Sequence, residues 1–338
     1  MGGDAAPAIV VQGAELARER HPELKVLLFG DRARIEPLLA RAKRLRDCAE
    51  IRHTDTVIAA DDKPGQALRK GRDSSMGLAI EAVASGEAAG VVSAGNTGAL
   101  MALSKFQLRT LPGIDRPALA ALFPTMRGDS VMLDLGANVQ CDANNLVQFA
   151  LMGAAFARTV MGLPRPSVGL LNVGEEELKG NDVVRAAAQI LRASTLPLDF
   201  QGFVEGDDIP RGATDVIVTD GFTGNVALKT AEGTAKLYTQ FLKQALRSSW
   251  RARLGYLLAR GAFEAMRERV DPRYYNGGVF LGLKGVSVKS HGGTDATGFA
   301  TAIDLAVDMA AGNLAGRIIE DLKRTGGREE PPQERAAS

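Results

Sequence analysis

The chain has 338 residues, 45% of them hydrophobic and 24% charged, with a net charge of +1. That balance suits a globular protein with one large core or two joined ones, and it lacks the strongly basic domain that marks nucleic-acid binding. Apolar runs such as Ala118 to Pro124 break well before the roughly 18 to 20 residues that a membrane span requires.

In chain order, the opening Met-Gly-Gly-Asp-Ala-Ala-Pro lacks the basic-then-apolar order of a secretory signal, which points to the cytoplasm. A strand-then-helix rhythm follows. KVLLFGD leads to a helix near Ala33 to Arg46, and AGVVSAGNTGALMALSKF passes from strand to helix through Ala94 to Thr97. SVMLDLGANVQCDANNLVQFALMGAAFARTV turns at Gly136 to Asp142, with Asp142 as a helix cap. SVGLLNVGEEELKGNDVVRAAAQIL turns at Gly174 to Asp182, DVIVTDGFTGNVALK at Asp220 to Asn225, and GVSVKSHGGTDATGFATAIDLAVDMA at His291 to Thr294. The alternation predicts an α/β fold with a mostly parallel sheet flanked by helices.

Lys236 to Asp271 interrupts this rhythm with a long helical stretch. Leu242, Leu246, Trp250, Leu254, Leu257 and Leu258 draw an apolar stripe along it, and Lys243 to Arg269 carries seven Lys or Arg against two Glu. It reads as a helical hairpin projecting from the body, with Gly255 and Gly261 marking a bend or tip. The organisation expected is a single α/β body over 1–325, an excursion at about 236–271, and a disordered tail over 326–338.

Ligands of open parallel sheets sit outside the strand carboxyl ends, where helix N-termini present free N–H groups. The turns SAGNTG, LGANVQ, NVGEEELKGN, DGFTGN and SHGGTD are therefore expected to converge on one cleft suited to an anion. No P-loop, no dinucleotide-binding glycine pattern and no H-E-x-x-H is present. Cys48 and Cys141, with no C-x-x-C spacing, fit a reducing compartment and speak against structural zinc. Neither a metal nor another cofactor is expected.

Each candidate has a plainer alternative. Asn96 and Thr97 either contact phosphate or merely cap a helix. Lys179, beside three glutamates, belongs to a solvated loop or aims into the cleft. His291, at a strand's carboxyl end, is a functional imidazole or a capping one, and Cys141 reads as inert packing.

The stretches MGGDAAP, SAGNTGALM, RPALAALFPT, MLDLGANV, LLNVGEEELKG, DVIVTDGFTGNVALK and GGVFLGLKGVSVKSHGG occur in this order, and together resemble the bacterial phosphate acyltransferase family PlsX over essentially the whole chain. The resemblance implies transfer of a long-chain acyl group from acyl carrier protein to inorganic phosphate. The acyl phosphate produced would feed glycerol-3-phosphate acyltransferase in phospholipid synthesis. It also implies a fold similar to the phosphate acetyltransferases and to the isocitrate and isopropylmalate dehydrogenases. Where those dehydrogenases carry metal-binding aspartates, this chain has Asn225 and Lys229, which suit an anion. Members of the family have a strand ahead of the Met-Gly-Gly-Asp turn, so a start upstream of Met1 is expected.

A thioester attacked by phosphate needs no covalent acyl-enzyme, only proximity and oxyanion stabilisation. Lys179, His291, Asn225 and Asp220 are the expected catalytic group. Gly95, Asn96, Thr97, Gly98, Asn138, Gly224 and Lys229 are expected around phosphate and the acyl donor. Within this scheme Lys179 and His291 assist the oxyanion or leaving thiolate, while Asp220 and Asn138 orient. The basic excursion, through Trp250, Leu254, Leu257 and Leu258, suits acidic acyl carrier protein and peripheral contact with an anionic membrane; a homodimer interface is the alternative for the same stripe, and both fit if the base dimerises and the tip meets lipid. An acetyltransferase acting on acetyl coenzyme A and a non-catalytic scaffold binding the carrier at the membrane are the rival functions.

Overall fold

The computed structural model describes residues 1–62, 64–269, 271, 273 and 275–324; the expected disordered tail over 326–338 lies outside the described residues. The strands are β1 (Val26–Gly30), β2 (Ala49–His53), β3 (Gly90–Ser93), β4 (Ala118–Thr125), β5 (Gly128–Leu133), β6 (Ser167–Leu171), β7 (Asp199–Val204), β8 (Val216–Val218), β9 (Gly278–Leu281) and β10 (Val286–Lys289). β1 and β2 form a small parallel sheet, and the others form one sheet in the order β3-β10-β9-β4-β5-β8-β6-β7. Both flanks are parallel, as expected: β3 with β10, and β5, β8, β6 and β7 together. The centre is antiparallel, at β10/β9, β9/β4 and β4/β5. The two parallel flanks consequently run in opposite directions, which alternation along the chain did not reveal.

Side chains on the central strands divide between two cores by simple alternation. Ala118, Val131, Leu133, Val216 and Leu281 face one side, and Leu119, Met132, Ile217 and Phe280 the other. The first side is closed by the helix Ala143–Val160, apolar almost all round, with Phe149 and Phe156 fully buried. Asp142 caps it as expected, in a reciprocal pair with Asn145. A Cβ on Gly153 would lie 2.6 Å from Val216 Cγ1, so the glycine lets this helix press onto β8.

The second side is only partly covered. Helices Ser75–Ala84 and Thr97–Leu108 pack over the β3 flank through Ile80, Leu100 and Leu103. The helix Gly221–Arg247 starts at the end of β8 and leaves the body, its 27 residues spanning about 40 Å. A gap stays open between these two groups of helices. At the other margin, β1 and β3 flank an apolar slot lined by Leu28, Phe29, Val92 and Ala94, with Met1 at its mouth.

The excursion is the continuation of that long helix, followed by Trp250–Leu258 and Arg260–Arg269. Its bend falls at Ser248 and Ser249, where the Ser249 hydroxyl accepts from the Ala252 N–H at 3.1 Å. Gly255 and Gly261, expected at the bend or tip, instead lie inside helices. A second break, at Ala259, separates Trp250–Leu258 from Arg260–Arg269 two residues before Gly261. Trp250, Leu254, Leu257 and Leu258 are 70%, 49%, 64% and 82% exposed, whereas Leu242 and Leu246 of the same stripe are half-buried. No described helix is long and apolar enough to cross a membrane.

Candidate active site

A cavity of about 290 Å³ fills the gap between the start of helix Thr97–Leu108 and the start of helix Gly221–Arg247. Thr97, Gly98 and Asn225 form its polar wall, and Met101, Leu135, Phe222 and Phe280 its apolar one. Three of the five glycine-bearing turns meet here, contributing Thr97, Gly136 and Gly221.

The first wall is shaped by Asn96. Its Oδ1 accepts from the Ala99 N–H at 3.0 Å, while Nδ2 donates to the carbonyls of Ala60 and Asp62, both at 2.9 Å. The side chain is therefore committed to capping and to holding the neighbouring loop, which corrects the expectation that it touches phosphate. This turn presents Thr97 and Gly98 to the cavity, and helix geometry leaves their N–H groups unpaired. Gly95 admits the N-terminal turn, since a Cβ on the facing Gly2 would lie 2.5 Å from its Cα.

Asp134 builds the second wall. It is fully buried after β5, and its carboxylate accepts from the N–H groups of Leu119 (3.0 Å), Gly136 (3.3 Å), Ala137 (3.0 Å) and Asn138 (2.6 Å) and from Asn138 Nδ2 (2.9 Å). Burial pushes its pKa above the usual carboxylate range despite these donors. Asn138 Nδ2 also donates to the Pro117 carbonyl at 2.8 Å, and its backbone carbonyl accepts the Gly221 N–H at 2.8 Å. Both Nδ2 protons are thus spent on holding the loop.

Asp220 caps the long helix, taking the Thr223 N–H and hydroxyl at 2.8 Å each. A Cβ on Gly224 would lie 2.0 Å from the Asp134 carbonyl, so this glycine serves the close approach of helix to loop instead of binding substrate. Asn225, one residue on, lies over Gly136 with its amide free of protein partners among the described residues.

One turn further, Lys229 pairs with Glu232 at 2.7 Å. Lys229 also acts electrostatically on Lys289 and His291, which sit at the end of β10. Burial, then Lys229, pulls the Lys289 ammonium down to about 8, while Asp4 pulls it upward. Burial, then Lys229, likewise lowers the His291 imidazole below its ordinary value. The Gly293 N–H donates to His291 Nδ1 at 3.1 Å, which leaves the proton of the neutral ring on Nε2.

Lys179 is not among the residues that line this cavity. It is exposed, on a loop held by Asn172 Nδ2, which donates to the carbonyls of Gly174 (3.0 Å) and Lys179 (3.2 Å). The loop follows β6, which lies beyond β8 from the cavity in the sheet order. Cys141 is pushed up to about 11 by burial and then by Asp134, in keeping with inert packing. Sequence reasoning missed Asp134 and Lys289, although each is a charge ending a buried strand, in SVMLD and VSVK.

The surrounding chain has clear relatives. A family model described as "Fatty acid synthesis protein" matches residues 1–317. A protein named phosphate acyltransferase in Paramagnetospirillum magneticum is 59% identical over 337 residues, covering 100% of this chain and 96% of its own. A protein of the same name in Rhodospirillum centenum is 63% identical over 324 residues, covering 96% and 91%. Among solved structures, a phosphotransacetylase from Streptococcus pyogenes shares the fold with a TM-score of 0.60 at 18% identity, covering 90% of this chain and 92% of its own. The chain belongs to the family of that model, the PlsX phosphate acyltransferases.

Proposed function

We propose that this protein transfers a long-chain acyl group from acyl carrier protein to inorganic phosphate, releasing acyl phosphate for the glycerol-3-phosphate acyltransferase of phospholipid synthesis. The observation that carries the reading is the pairing of an apolar cavity, over Met101 and Phe280, with a cationic end at Lys229, one turn beyond Asn225, and Lys289, at the end of β10. An acyl chain wants the first environment and phosphate the second. The relatives' name, phosphate acyltransferase, supports the same acceptor.

The chemistry needs no acyl-enzyme. A phosphate oxygen attacks the thioester carbonyl, and the tetrahedral oxyanion collapses with cleavage of the C–S bond. The proton of hydrogen phosphate passes to the leaving thiolate, so the products are acyl phosphate and the carrier thiol. Asn225 Nδ2 and His291 Nε2–H supply neutral donors for the oxyanion, while Thr97 and the first-turn N–H groups hold a phosphate oxygen. Pre-set dipoles of this kind stabilise charge where it develops without reorganising.

The excursion is assigned to the donor side. Its exposed Trp250, Leu257 and Leu258, with Arg251 stacked 5.5 Å from the Trp250 ring centroid, suit an acidic carrier protein and an anionic membrane surface. A homodimer built on the base of the same helices is compatible with both. The test is thioester loss from palmitoyl-acyl carrier protein with and without phosphate. Loss only with phosphate, matched by acyl phosphate, supports the transferase; turnover of acetyl coenzyme A alone would replace the donor, and no turnover of either would leave a scaffold.

A further inference from the structure

Lys289 ends β10 with its ammonium folded back to donate to the Ser290 carbonyl. Asp4 of the N-terminal turn and Lys229 of the long helix face it, and His291 stands on its own turn. Lys236 and Glu232 face His291 from the long helix in turn. Lys229 is already engaged by Glu232, so Asp4 is the carboxylate set against Lys289. Asp4 is fixed in place: its N–H donates to the Gly292 carbonyl at 2.9 Å, and its Oδ2 would lie 3.2 Å from a Cβ on Gly293. The cluster of Lys229, Lys236 and Lys289 against Asp4 and Glu232 keeps a surplus positive charge around the half-buried Lys289, which a bound dianion would neutralise.

We propose that Lys289 is the ammonium that holds the attacking phosphate, and that Asp4 is the residue that positions it. The assignment rests on phosphate being the acyl acceptor. It separates the duties of the site: Lys289 fixes the nucleophile, while Asn225 and His291 meet the charge formed on the thioester oxygen.

The test compares wild-type protein with Lys289→Met, Lys289→Arg and Asp4→Asn, reading KM for phosphate, KM for the acyl donor and kcat between about pH 6 and 9. Lys289→Met is expected to raise the phosphate KM at least ~10-fold with the donor KM unchanged, and Lys289→Arg to recover part of it. The wild-type phosphate KM should climb as pH passes about 8, where the ammonium is lost. Asp4 pulls that value upward, so Asp4→Asn should move the climb to lower pH. A structural role would not shift this profile. An unchanged phosphate KM in folded Lys289→Met, or an unshifted profile in Asp4→Asn, overturns the assignment. Should Lys289→Met fail to fold, the Arg and Asn variants carry the decision. Thioester loss by the wild type that ignores phosphate overturns the acceptor reading and this assignment together, whereas phosphate-dependent turnover with an indifferent Lys289→Met overturns only the latter.

Discussion

The two ends of the helix Gly221–Arg247 live under different constraints. At its start Gly221 and Gly224 are buried against the Asp134 loop, and Asn225 lines the cleft. Farther along, Leu237, Tyr238 and Phe241 are 54%, 74% and 58% exposed, and Trp250 and Leu258 of the hairpin beyond are exposed too. One continuous element thus joins a site fixed by close backbone contact to an apolar surface that is exposed among the described residues. Changes at the first end should act on stability and chemistry, and changes at the second on association.

The largest effect is expected where the cleft is built. Asp134→Ala leaves several buried N–H donors without an acceptor and should lower stability by about 3 kcal/mol or more, read by denaturant unfolding. Asn225→Asp keeps the shape but sets a carboxylate toward phosphate and the oxyanion. It should lower kcat/KM ~100-fold with an unchanged melting temperature; a loss of folding instead would move Asn225 to the structural side of the comparison.

Lys289 sharpens the contrast with an opposite sign. Its pKa falls from 10.5 to about 8, so between those values the unfolded chain binds more protons and stability rises with pH. Below about 8 the buried ammonium is a full penalty. Lys289→Met should therefore gain about 2 kcal/mol near neutral pH, under a ceiling of roughly 3 kcal/mol set by that drop, and lose the pH dependence. Thermal melts across this range without phosphate would detect it.

The smallest folding effect is expected at the far end. Trp250→Ala combined with Leu257→Glu should change stability by less than ~0.5 kcal/mol, because both residues are exposed. The same pair should abolish sedimentation with anionic liposomes. A large loss of stability with unchanged sedimentation would assign the stripe to packing or to a subunit contact.

The legible part of the fold was the part with local signals. β1, β3, β5, β6, β8 and β10 follow from apolar runs ending in glycine-bearing turns, and the helix after Asp142 from its cap. The antiparallel centre was not legible, because the pairing of β4 with β5 and β9 is a long-range choice, and ALAALFPT looks alike in either direction. At the site, residue type located the turns but not the direction of each side chain. Asn96, Asn138 and Asp220 satisfy backbone groups, Gly224 makes room for a carbonyl, and only Asn225 and Thr97 of the polar candidates line the cavity. Lys179 was placed by its turn, yet sheet order sets that turn beyond β8. Lys289 was hidden because a lysine inside an apolar strand gives no local sign of which charges will surround it.

The central claim is that phosphate itself attacks the thioester carbonyl. The most direct measurement supplies phosphate labelled with heavy oxygen at every position to the protein and palmitoyl-acyl carrier protein, and weighs the product. The account predicts acyl phosphate that retains every labelled oxygen, with the bridging oxygen derived from phosphate. Unlabelled free fatty acid, or thioester loss at the same rate without phosphate, would contradict it.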